Sequence, residues 1–122
     1  MARLTRADKA WLVRTFGPRA VLEPDGETGS RPECLSLPQL FRILMGNTVS
    51  QPVVYPENEA EVLELARWAA RGKIALFPRG GGSSRSGASV PADMGIIIDF
   101  SRMRRILAVD SEKQTVTVEP GI

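Results

Sequence analysis

"PVVYPENEAEVLELARWAARGKIALFPRGGG", Pro52 to Gly82, is the stretch whose reading decides the fold. PVVYP is a short apolar run bounded by prolines, which suits a brief strand. ENEAEVLELARWAARG then carries helix signals at both ends. Asn58 can cap the start, with Glu61 at the third position. Val62, Leu65, Ala66 and Ala69 follow the i, i+3, i+4, i+7 spacing of a buried stripe. Glutamates crowd the first turn and arginines the last, as the helix dipole favours. Gly72 is the expected terminator. KIALFP is the next strand. Strand, helix and strand in so short a span predict a right-handed βαβ crossover with parallel strands.

Straight off that second strand comes PRGGGSSRSGASVP, Pro78 to Pro91. Glycine permits both signs of φ, so successive N–H groups in such a turn can converge on one anion. Serine hydroxyls add donors, and Arg79 and Arg85 add charge. Two familiar phosphate loops do not fit. Gly82 and Gly87 have the spacing of a P-loop, but Ala88-Ser89 stand where Lys-Ser/Thr is needed. The fingerprint G-x-G-x-x-G fails because Arg85 occupies the third glycine position. Both motifs also require a helix to begin in the loop. Here Pro91 and a strand-like run follow, so the loop joins strand to strand and has no helix dipole behind it. On the residues alone two readings stay open, a flexible Gly/Ser linker and an anion cradle. A position between apolar strands inside a domain favours the cradle.

Beyond the loop, GIIIDF is the unbroken apolar run of a strand covered on both faces. RILAVD and QTVTVEPG, separated by Ser111-Glu112-Lys113, read as a hairpin, with Val116 and Val118 on one face and Thr115 and Thr117 on the other. Upstream, Thr5 and Asp8 form a loose capping box. Leu12, Val13 and Phe16 make an apolar stripe, and Gly17-Pro18 stops the helix. Residues 23–33 read as a loop, and Pro38–Met45 as a short helix. The expected fold class is α/β (α+β): a βαβ unit followed by strands and a β-hairpin. Residues 1–50 form a helical and loop extension, and 51–122 the main unit.

The bulk figures narrow the function. With 122 residues, 43% hydrophobic and 25% charged, the chain fits one globular domain. A net charge of +2 argues against a nucleic-acid partner. The charge is unevenly spread, however. From Arg71 to Arg105, seven basic residues (Arg71, Lys73, Arg79, Arg85, Arg102, Arg104, Arg105) face two acidic ones, Asp93 and Asp99. That is either a solvated basic face or a potential that attracts an anion. The absence of histidine removes Ser/His and Cys/His catalysis and leaves zinc without its commonest partners to cysteine. No metal ligands are named. Cys34, alone, forms no internal disulfide, fits a reducing cytosol and is read as structural. There is no signal-peptide pattern and no apolar segment long enough to span a membrane. The acidic residues read as helix caps and surface charges, and none is named as a catalytic acid or base.

Taken as a series, V-x-P before a helix, P-R-G-G-G-S-x-x-x-G, D-F-S-R-M-R-R-I and V-T-V-E-P-G resemble the start of a PCMH-type FAD-binding domain. This is the domain of the vanillyl-alcohol oxidase / p-cresol methylhydroxylase flavoproteins. The likeness is to their D-lactate dehydrogenase and glycolate oxidase branch, which includes large members fused to an iron–sulfur domain. It runs from about Pro52 to Ile122. The resemblance implies an FAD site built from Pro78, Arg79, Gly80, Gly81, Gly82, Ser83, Ser84, Arg85, Ser86, Gly87, Pro120 and Gly121. Gly80 to Ser84 would hold the pyrophosphate through backbone N–H groups. Gly87 would let the loop close against the flavin, and Pro120 and Gly121 would lie near the cofactor. Ser101 to Arg105 would be a structural turn, with Arg102, Arg104 and Arg105 solvated. Some relatives attach FAD through a histidine; none exists here, which implies non-covalent FAD. The resemblance also implies an N-terminal piece of a larger enzyme that oxidises a 2-hydroxy acid or similar small molecule. The second FAD-binding half and the substrate domain would be missing, and the piece alone would be inactive. Its uncovered edge would favour self-association. The alternative reading is a non-enzymatic anion-binding, nucleotide-binding or interaction module with the same fold.

Overall fold

The computed structural model describes residues 4–21, 51–81 and 95–122. Helix α1 spans Arg6–Phe16, and the expected capping box is present. The Asp8 N–H donates to Thr5 Oγ1 at 3.2 Å and the Thr5 N–H to Asp8 Oδ2 at 2.8 Å. Leu12 and Phe16 are buried, one turn apart. Val13, expected in the same stripe, is 47% exposed. It stands about 100° round the helix from Leu12, and the inner face is completed by Trp11 instead. Gly17 takes φ +55, which glycine adopts without strain. A single 3₁₀ turn, Gly17–Arg19, then leads into β1, Ala20–Val21.

The predicted strand, helix and strand are all present as β2 (Val53–Val54), α2 (Glu59–Gly72) and β3 (Leu76–Arg79). Asn58 caps α2, accepting the Glu61 N–H at 3.0 Å. At the other end Gly72 remains helical, and Lys73 takes the left-handed turn at φ 51. The reason is packing: a Cβ on Gly72 would lie 3.0 Å from Ile74 Cδ1, so the small residue serves the close approach of Ile74.

Strand β4, Ile96–Asp99, sits inside the four-stranded sheet, whose order is β1-β2-β4-β3. β1 is antiparallel to β2, while β2, β4 and β3 run parallel. The βαβ expectation is therefore met with one strand's width between its two strands. Leu76 pairs with Ile96 and Arg79 with Asp99, so β3 ends where β4 also ends. They are joined as a crossover and not as a hairpin. Pro78, which has no N–H to donate, lies in the outermost strand, where proline is tolerated.

The core gathers Leu12, Phe16, Ala20, Val54, Leu65, Ala69, Ile74, Ile96 and Ile98. Residues before Val21 thus share one core and one sheet with those after Pro52. Trp11 stacks on Trp68, with centroids 4.5 Å apart and planes at 7°. As the apolar run predicted, β4 is buried along its whole length. The hairpin is also present: β5 (Ile106–Asp110) pairs antiparallel with β6 (Thr115–Val118). Gln114 takes the left-handed position of its turn, at φ 52. The alternation expected in β6 does not divide inside from outside. Ile106, Leu107, Val109, Val116 and Val118 are all exposed, because the hairpin pairs with itself and not with the main sheet. Among the described residues no helix is long and apolar enough to cross a membrane. The stretches 23–33 and 38–45 lie outside the described residues.

Candidate cofactor turn

β3 and β4 are parallel neighbours, so their C-terminal ends stand side by side. In open sheets with parallel strands, ligands bind beyond that end. Four segments converge there: Pro78–Gly81 leaving β3, Asp99–Ser101 leaving β4, the turn through Met103, and Glu119–Gly121 after β6. The sequence signature scattered along the chain is thus brought to one place. Of the expected cofactor residues, Pro78, Arg79, Gly80, Gly81, Pro120 and Gly121 are described. Gly82, Ser83, Ser84, Arg85, Ser86 and Gly87 lie outside the described residues.

Gly80 sits against the second piece of the signature. A Cβ placed on it would be 3.0 Å from the carbonyl oxygen of Pro120. Gly81 differs: among the described residues, a Cβ there would meet nothing within 4 Å. Gly121 has no room at all, since its Cβ would fall 1.8 Å from the Phe100 carbonyl oxygen and 2.9 Å from that of Met103. Two glycines thus allow backbone to approach backbone, and at the third a side chain would meet none of the described residues. That arrangement fits a flavin dinucleotide's diphosphate, which is recognised by backbone N–H groups rather than by side-chain bulk.

Three hydrogen bonds and the approach of Gly80 to Pro120 close the four segments into a ring. The Phe100 N–H donates to the Arg79 carbonyl at 2.9 Å, and the Met103 N–H to the Phe100 carbonyl at 2.8 Å. The Gly121 N–H donates to the Met103 carbonyl at 2.9 Å. Gly121 follows Pro120, whose carbonyl faces Gly80, the neighbour of Arg79. Ser101 to Arg105 is therefore the structural turn that the family resemblance implied, and Met103 is its buried anchor.

Two carboxylates read from sequence as caps or surface charges prove to be buried, Asp99 and Glu119. Arg79 Nε donates to Asp99 Oδ2 at 2.7 Å, and the Ser101 N–H donates to Asp99 Oδ1 at 2.8 Å. Glu119 accepts the Arg105 N–H at 2.7 Å and Arg105 Nε at 2.8 Å. The bond from the Arg105 side chain, with help from its backbone N–H, holds the Glu119 carboxyl below the usual carboxylate range. The same partnership raises the Arg105 guanidinium. Arg105 is accordingly not a purely solvated residue. Nor is Arg102, whose Nη1 lies 2.8 Å from Glu57 Oε1. The missed signal was spacing: Asp99 ends an otherwise apolar strand, and Glu119 directly precedes Pro-Gly. Polar residues at such places are held by partners more often than by water.

A second cluster ties the N-terminal segment to the sheet. Arg19 Nη1 donates to Glu61 Oε2 at 2.6 Å, and the Glu57 N–H donates to the same oxygen at 2.9 Å. The Arg19 hydrogen bond is the main reason that the Glu61 carboxyl is lowered, against a smaller opposing cost of burial. Glu61 thus serves both Arg19 and the backbone just before α2, while Asn58 caps the helix itself. Among the described residues no group of histidine, cysteine or carboxylate side chains could hold a metal ion.

The fold and the turn are those of a ligand-binding α/β module, and comparison with known proteins supplies the family. The FAD binding domain family matches residues 50–122. The chain belongs to that family, and FAD is its cofactor. It is 31% identical over 70 residues to the glycolate oxidase subunit GlcD of Bacillus subtilis, a match covering 57% of this chain and 15% of GlcD. It is 37% identical over 70 residues to the mitochondrial D-lactate dehydrogenase (cytochrome) of Arabidopsis thaliana, covering 57% of this chain and 12% of that protein. Among solved structures, alkyldihydroxyacetonephosphate synthase shares the fold, with a TM-score of 0.69 and 24% identity, covering 95% of this chain and 22% of that one. The mixed sheet with its helices is thus of the PCMH type. The chain spans only a small part of its relatives.

Proposed function

We propose that the chain is the pyrophosphate-holding portion of a flavin-dependent oxidoreductase that oxidises a 2-hydroxy acid or a closely similar small molecule. The observation that carries this reading is the convergence of Gly80 and Gly81 with Pro120 and Gly121 at the C-terminal end of β3 and β4. Two relatives with 2-hydroxy acid names point the same way. In this reading the N–H groups of Gly80 to Ser84 receive the diphosphate, Arg85 and Ser86 add charge and a hydroxyl, and Gly87 lets the loop close. Pro78 and Arg79 deliver the loop from the sheet. FAD, once bound, supplies hydride acceptance, while this chain contributes binding and orientation. The sequence has no histidine, so no histidyl–flavin bond can form within these residues, in keeping with non-covalent binding. Residues 51–122 form the first FAD-binding subdomain, and 1–50 an N-terminal extension, of which Leu12, Phe16 and Ala20 share the core. The exposed apolar hairpin drives self-association of the chain in isolation, which light scattering tests. Lone Cys34 suits a reducing compartment such as the cytoplasm.

The test is an FAD titration followed by flavin fluorescence, with ADP and pyrophosphate as competitors. A chain that spans 15% of such a relative holds only part of a cofactor surface, so saturable but weak binding is expected. Gly81→Asp places a side chain and a negative charge beside the turn, and it should abolish that binding. Wild-type affinity in Gly81→Asp would remove the loop assignment.

A further inference from the structure

We propose that Asp99 is a positioning residue for the cofactor turn, fixing through its two oxygens where Gly80 and Gly81 leave the sheet. The inference rests on the pyrophosphate reading above but adds a residue that touches no cofactor. Asp99 ends the strand Ile96-Ile97-Ile98-Asp99, where an apolar residue would continue the pattern. Its side chain is 9% exposed, and that of Arg79 is 15% exposed. An ion pair so shielded contributes little net stability, because desolvation offsets attraction. What it does supply is direction. Oδ2 takes Arg79 Nε at 2.7 Å, and Oδ1 takes the Ser101 N–H at 2.8 Å. Arg79 is the last residue of β3, so its side chain and its carbonyl are both held by the adjacent end of β4. The next residue, Gly80, is then set against the Pro120 carbonyl. One carboxylate thus joins the exit of β3 to the turn that carries Gly121. Arg79 spends its Nε on this task, which makes it a support of the anion site before it is a ligand.

The experiment compares wild type, Asp99→Asn, Arg79→Lys and Gly81→Asp. Asparagine keeps the shape and an acceptor for Ser101 but gives up the charge that orients Arg79. Two readouts are taken well below the melting temperature of each variant. The first is NMR on the chain: amide exchange at Phe100, Ser101 and α2, with the cross-relaxation between Gly80 and Pro120 protons. The second is FAD affinity. In Asp99→Asn, exchange at Phe100 and Ser101 should rise, the Gly80–Pro120 signal should weaken, and α2 should stay protected. FAD affinity should fall about tenfold, the scale on which loss of an outer support acts. A merely structural role would instead raise exchange evenly through α2 and leave affinity in the folded fraction unchanged; either result overturns the proposal. Arg79→Lys, which keeps the charge but lacks Nε, decides the matter if Asp99→Asn does not fold. It should show the same local loosening to a lesser degree. The pyrophosphate reading fails separately, when Gly81→Asp retains wild-type affinity. The NMR result then still decides whether Asp99 sets the turn.

Discussion

Gly121→Ala is the sharpest test of the ring that closes the turn. The added Cβ would stand 1.8 Å from the Phe100 carbonyl oxygen and 2.6 Å from its carbon. Contacts under 3.0 Å are essentially never adopted by real Cβ atoms, so the Phe100 peptide must retreat by more than an ångström. It cannot do so freely. Its N–H is held by Arg79 at 2.9 Å, and its carbonyl receives Met103 at 2.8 Å. The clash is with backbone, so no rotamer change relieves it. Overpacking of this kind costs about 1–3 kcal/mol, and loss of a hydrogen bond adds about 1 kcal/mol. A total near 2–4 kcal/mol is expected. Urea unfolding followed by tryptophan fluorescence is the assay, since stacked Trp11 and Trp68 report on the core. With a slope of about 2 kcal/mol per molar, the midpoint should fall by about 1–2 M at unchanged slope. Gly81→Ala is the control. Its Cβ meets nothing within 4 Å among the described residues, so it should stay within about 0.5 kcal/mol of wild type. Equal stability of Gly121→Ala and Gly81→Ala would refute the close approach of Phe100 and Gly121.

Other outcomes follow from the core and the charges. Leu65→Ala opens a cavity at a fully buried site and should cost about 2–5 kcal/mol by the same assay, whereas Leu63→Ala, 47% exposed in wild type, should cost far less. Arg19→Ala leaves partly buried Glu61 without its main partner and should cost about 1 kcal/mol, most visibly at low salt. The Glu61 and Glu119 carboxyls are both held below their ordinary value of 4.5. The folded state therefore binds these protons more weakly than the unfolded state. The stability they contribute is complete above about pH 4.5 and disappears as pH falls through the folded values. Glu61→Gln should flatten the acid side of a plot of urea midpoint against pH; a curve parallel to wild type would contradict the Arg19–Glu61 assignment.

Much of the fold was legible because local chemistry and burial agree along it. Asn58, the stripe ending at Ala69 and the run of isoleucines each announce one element. The order of strands was not legible, since nothing in KIALFP or GIIIDF says which strand lies between which. That is settled by the crossover and by the area β4 buries on both faces. The hairpin's pairing was readable from its turn, but the fate of its faces depends on packing that residues 115–118 do not encode locally. The site divides in the same way. Its glycines stand out by composition, whereas Asp99 and Glu119 look like any surface carboxylate until the partner arginines, distant in sequence or across a hairpin, are placed beside them.

The strand order also carries a consequence for how the chain folds. β2 and β3 meet only through β4, although β4 is made after both. The α2 connection therefore brings two strands to a fixed separation and leaves a slot one strand wide. Until Ile96 to Asp99 fill it, neither wall of the slot has its parallel partner, and Leu65, Ala69 and Ile74 have only part of their cover. Contacts between distant segments must then form together rather than stepwise, which favours a slow and cooperative transition. A ribosome-bound chain shorter than Phe100 would hold its apolar walls apart and exposed. Apolar surface left exposed in that interval is prone to aggregation.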